Sequence, residues 1–77
     1  MNKERRKWLE KTIATLEDQR AELESICEEE QEAYYNMPES LQDSERGQEL
    51  YDNIDALENA ASNLDDVISD LQEILGY

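Results

Sequence analysis

Two apolar stripes of equal length, divided by a polar segment that holds the chain's one proline, restrict this sequence to very few folds. The first runs Leu9, Ile13, Leu16, Arg20, Leu23, Cys27, Glu30, Tyr34. The second runs Leu50, Ile54, Leu57, Ala61, Leu64, Ile68, Leu71, Leu75. Each steps alternately by four and three residues, which is the rhythm of a seam between packed helices. Folded back at Pro38–Gly47, the chain lays the stripes antiparallel, with Leu9 opposite Leu75, Ile13 opposite Leu71, Leu16 opposite Ile68 and Tyr34 opposite Leu50. The sequence therefore predicts an all-α, coiled-coil-like antiparallel helical hairpin, with residues 1–77 as one domain.

Local signals set the boundaries at about 3–35 for the first helix, 36–43 for the turn and 44–75 for the second helix. Asn2 is an N-cap residue, and the interior that follows is rich in strong helix formers with no glycine or proline. Pro38 disfavours helical geometry at Met37 and stops the first helix there. Pro38–Gln42 suits a single helical turn. Ser44, with Asp43 as the alternative, caps the second helix, and Gly47 falls in its first turn, where the cost of a glycine is small. Gly76 stands where a helix-ending glycine belongs.

The columns beside the seam differ. With Ile13 and Ile54 at heptad position a, the e column holds Glu10, Glu17, Glu24, Gln31 and Tyr51, Glu58, Asp65, Gln72. The g column holds Thr12, Gln19, Ile26, Ala33 and Asn53, Ala60, Val67, Ile74. In an antiparallel pair e faces e and g faces g, so one flank is acidic and the other uncharged and partly apolar. Two helices alone do not cover Ile26, Ala33, Ala60, Val67 and Ile74. These five residues are predicted to meet a second copy, pairing two hairpins into a four-helix bundle homodimer.

Charge runs along the axis as well. Residues 1–11 carry five basic and two acidic side chains, a net of +3, and the remainder carries −17. Basic residues at a helix N-terminus and acidic ones at a C-terminus both oppose the helix dipole. An antiparallel hairpin offsets the two defects by setting Lys7 and Lys11 beside Asp70 and Glu73.

Seven basic against 21 acidic residues, a net charge of −14, oppose direct binding to nucleic acid or to an anionic membrane. Histidine is absent and there is a single cysteine, so the common neutral-pH acid–base group, the commonest metal ligand and disulfide stapling are all missing. Cys27, in the seam opposite Leu57, reads as a small buried hydrophobe. No Glu-x-x-His pattern and no calcium-loop pattern occurs. The expectation is a protein that is not an enzyme, with no catalytic residue, cofactor or metal. No apolar run approaches a membrane span, and no apolar core follows the basic N-terminus, so a cytoplasmic location is expected.

The acidity exceeds what solubility needs. Carboxylates on a rigid rod can occupy a groove built for phosphates, with the same salt-dependent affinity. On that reading the partner surface comprises Glu28, Glu29, Glu32, Tyr35, Met37, Glu39, Asp52 and Asp55. The partner is then a protein of the kind that binds nucleic acid. Arg20 and Glu30, polar residues within the seam, are expected to fix its register. Trp8 and Tyr77 should close the open end of the bundle, and Tyr34, Tyr35 and Tyr51 should gather at the turn.

The stretch Glu28–Gly47, sharpest at Pro38-Glu-Ser-Leu-Gln42 and Ser44-Glu-Arg-Gly47, resembles a family of short acidic proteins encoded by phages, prophages and mobile elements of Gram-positive bacteria. The resemblance covers about half the chain and implies a setting, the bacterial cytoplasm, and an accessory phage gene. By analogy with other small acidic phage proteins, it implies an inhibitor of a host defence or nucleic-acid-handling protein. A structural or assembly adaptor is the alternative. The turn is more detailed than a passive connector needs, which makes it the first candidate for partner contact.

Overall fold

The computed structural model describes residues 1–76 and shows three helices in a hairpin: α1 (Lys3–Tyr35), the single turn α2 (Glu39–Gln42) and α3 (Glu45–Leu75). The molecule is a rod of 58 × 16 × 15 Å. Asn2 caps α1 by accepting the Arg5 amide at 2.8 Å, and Ser44 caps α3 by accepting the Gly47 amide at 3.3 Å. Gly76 ends α3 in the left-handed region, at φ 86°. These ends match the sequence signals. Pro38, however, serves as the N-cap of α2 and not as its first helical residue.

The two stripes form the interface between α1 and α3. All sixteen stripe positions are buried or half-buried, and few other residues are. Ile13, Cys27, Leu50, Ile68 and Leu75 are the buried apolar side chains. Leu9, Leu16, Leu64 and Leu71 pack around Ile13, Ile68 and Leu75 and stay partly open. Two helices bury one face each, so the seam is only one side chain thick.

The seam is longer than the stripes at both ends. Arg6, one heptad before Ile13, reaches across so that its Nη2 donates to the Leu75 carbonyl at 2.8 Å. A cation on the last carbonyls of α3 satisfies an orphan acceptor and opposes the negative end of the helix dipole. This corrects the pairing expected at the open end. Among the described residues the ion pairs are Arg20–Glu24, Arg20–Asp65 and Arg46–Glu49, so neither Lys7 nor Lys11 bridges to Asp70 or Glu73. The reason is angular: Lys7 and Lys11 occupy positions b and f, on the outside of α1, whereas Arg6 occupies position a.

At the other end Gly47, one heptad before Ile54, is buried against α2. A Cβ there would lie 2.0 Å from the Gln42 carbonyl oxygen. The glycine is thus required by close backbone approach and is more than tolerated, a correction to its reading as a low-cost residue. The rest of the turn is a capping network. Gln42 Nε2 donates to the Tyr34 and Met37 carbonyls at 3.4 and 3.5 Å, which ties α2 to the end of α1. The Leu41 amide donates to the Pro38 carbonyl at 2.8 Å, and the Ser44 amide to that of Leu41 at 3.0 Å.

Candidate partner-binding surfaces

The acidic flank is internally paired. Position e of each helix meets position e of the other, and the sequence sets a glutamine or an arginine wherever carboxylates meet. Gln72 Nε2 donates to Glu17 at 3.4 Å, and Gln31 Nε2 donates to Glu58 at 3.1 Å. Between these two pairs lie Glu24 and Asp65, both acidic. Arg20 bridges them, with Nε and Nη2 on the two Asp65 oxygens at 2.5 and 3.0 Å and Nη1 on Glu24 at 2.8 Å. The hydrogen bond to Asp65 is the main cause of an upward shift of the Arg20 pKa. Arg20 is therefore committed to this side of the rod, where its fork fits a carboxylate in two-point geometry. Glu30, the other polar seam residue, turns to the opposite flank and accepts from Asn53 at 3.2 Å.

Beside Arg20 a shallow groove of about 310 Å³ opens on the acidic flank, lined among others by Cys27, Gln31, Leu57 and Ala61. It lies where the seam holds the small side chains of Cys27 and Ala61. The Cys27 thiol is pushed up in pKa, first by burial and then by Glu58 and Glu28. It stays protonated and a weak nucleophile at neutral pH.

Toward the tip, Tyr34 stands edge-on to Tyr35 with ring centroids 5.5 Å apart, and 6.0 Å from Tyr51. Tyr35 and Tyr51 point outward, at 73% and 56% exposure. With Asp55 and Glu58 they rim a second, smaller depression on the acidic side. The expected gathering of tyrosines is present, and Tyr34 supplies its buried part.

The eight residues expected to form one partner surface do not share a face. Glu28, Tyr35 and Asp55 occupy position b and adjoin the acidic flank. Glu32 and Asp52 occupy position f on the back of the rod, and Glu29 at position c lies toward the uncharged flank. Glu39 is exposed on α2. Met37 is half-buried, its carbonyl held by Gln42, and offers little side chain to a partner. Sequence reasoning missed Gln31 and Gln72 as residues that organise the acidic flank. The signal was present in the e column, where each glutamine faces a glutamate.

The uncharged flank has one such pair, Asn53 with Glu30, and its apolar side chains have nothing to cover them. Ile26, Val67 and Ile74 are 48%, 45% and 52% exposed, and Ala33 and Ala60 are also exposed. Trp8, expected to close the open end, is 72% exposed and lies on this same side of α1, over Arg5 and Thr12. Tyr77, expected beside it, lies outside the described residues. The turn, for its part, spends Pro38, Gln42, Ser44 and Gly47 on capping and close packing, which accounts for its detail without a partner. Tyr35, Glu39, Leu41 and Tyr51 are among the side chains that stay exposed there, with Asn36, Ser40 and Asp43.

Among the described residues no group of three or more acidic or cysteine side chains converges as metal ligands, and no helix is long and apolar enough to cross a membrane. Comparison with protein-family models, with curated proteins and with solved structures finds no match to this chain.

Proposed function

We propose that this protein is a non-enzymatic binding module of the bacterial cytoplasm that associates with itself through the uncharged flank and presents the acidic flank to a partner protein. The observation that carries the reading is the asymmetry of the rod. One side has its facing carboxylates held in place by Gln31, Gln72 and Arg20, with Tyr35 and Tyr51 at its tip. The other side leaves isoleucine, valine and tryptophan in water. Four carboxylates, Glu17, Glu24, Asp65 and Glu58, held in line along the middle of the rod offer a groove that binds nucleic acid a substitute for phosphates. A phage-encoded inhibitor of a host defence or nucleic-acid-handling protein fits this surface and the resemblance of Glu28–Gly47.

The test is capture from a Gram-positive bacterial lysate at low and at high salt, with DNA and RNA as competitors. A mimic loses its partner steeply as salt rises and is displaced by nucleic acid. Retention of the same partner at high salt, with no displacement, overturns mimicry. That outcome favours an assembly adaptor working through the apolar flank, the reading that the exposure of Ile26, Val67 and Ile74 supports.

A further inference from the structure

We infer that two hairpins join across the uncharged flank with their tips at opposite ends, each α1 against its copy and each α3 against its copy. The assembly then carries two acidic flanks facing outward on opposite sides. This deepens the self-association proposed above and rests on it.

Three observations support it. The flank is the size of an interface: a face of 58 × 16 Å has a footprint of about 900 Å², where a stable complex covers roughly 800 Å² per partner. It is selectively poor in charge: apart from Arg5 and Arg46 at its two ends no g position is ionisable in a chain that is 36% charged, and Glu30, which turns to it, accepts from Asn53. It is also needed, because the hairpin's own seam leaves Leu9, Leu16, Leu64 and Leu71 partly open. A chain this short gains much of its stability from added apolar cover.

Charge decides the orientation. A face-to-face pair has its two-fold axis either along the rod, which sets tips together, or across it, which sets tips apart. Cut at mid-rod, the tip half (residues 22–62) carries thirteen acidic side chains and one basic, a net of −12, and the open half carries −2. Tips together places −12 against −12 at helix spacings of about 8–10 Å, close to the screening length of roughly 8 Å at physiological salt. Tips apart places −12 against −2 twice. It also brings Arg5, which lies on this flank at the open end, beside the carboxylates of the copy's tip. Arg20 takes no part, being bound to Asp65 and Glu24 on the other side.

The experiment combines sedimentation with a distance measurement. A spin label is placed on α2 through Ser40→Cys in a Cys27→Ala chain. The unaltered chain, labelled selectively at its N-terminal amine, gives the same readout at the open end without substitutions. The expected result is a two-chain mass at micromolar concentration, with label-to-label distances near the 58 Å length of the rod in both samples. A two-chain mass with distances near the 16 Å rod width overturns the orientation and leaves self-association standing. A one-chain mass overturns both, whatever partner the acidic flank binds.

Discussion

The two flanks of one seam are built by opposite rules. On the acidic flank every facing pair of e positions along the middle of the rod is answered within the hairpin: Glu17 by Gln72, Glu58 by Gln31, and Glu24 with Asp65 by Arg20. On the uncharged flank Glu30 has Asn53, and the remaining side chains wait for cover. An interaction completed inside the chain leaves a surface free for something else. One left incomplete marks where the chain is unfinished. The difference teaches that net charge alone, −14 over 77 residues, says little about how a rod of this kind avoids repelling itself.

The largest test breaks the uncharged flank. Ile26→Glu together with Val67→Glu puts charge where the copies meet and is expected to weaken self-association by at least tenfold, about 1.4 kcal/mol, by sedimentation equilibrium. Helix content by circular dichroism should survive, because both side chains lie outside the hairpin seam. Undiminished association removes this flank from the interface.

Next in size is the register on which the comparison depends. At the tip that joins the two helices, α2 seats on Gly47. Gly47→Ala would ordinarily stabilise a helix by about 1 kcal/mol. Here the added methyl group meets the Gln42 carbonyl, and a loss of roughly 1–3 kcal/mol is expected in thermal or chemical unfolding. A gain in stability would mean that the tip does not hold the close approach described.

The smallest test is a matched pair. Gln31→Glu sets a second carboxylate against Glu58 and should cost about 0.2–0.5 kcal/mol, by analogy with like charges on one helix face, shrinking as salt rises. Gln19→Glu makes the same chemical change on the uncharged flank. It should leave hairpin stability nearly unaltered while weakening association. If the two variants behave alike in both measurements, the flanks do not differ as described.

Much of this was legible in the residues. The alternation of four and three fixed the seam, and burial follows it at all sixteen positions because helical periodicity alone decides which side chains share a face. Asn2, Ser44 and Gly76 marked the helix ends for local reasons, each within a few bonds of the group it satisfies. The candidate site was less legible. Glu28, Tyr35 and Asp55 stand beside the acidic flank, whereas Glu29, Glu32 and Asp52 point elsewhere, because neighbours in sequence on a helix lie on different faces. Lys7 and Lys11 matched Asp70 and Glu73 in axial position but not in angle.

The sequence by itself determined the hairpin, its register and the unlike character of its two sides, since these follow from periodicity and from which columns carry charge. Only the tertiary structure decided which groups answer one another across the seam. Arg6 was placed on the end of α3, Gln31 against Glu58, and Gly47 under the carbonyl of Gln42. These depend on distances between atoms far apart in the chain, and a pattern of residue types along one helix does not contain them.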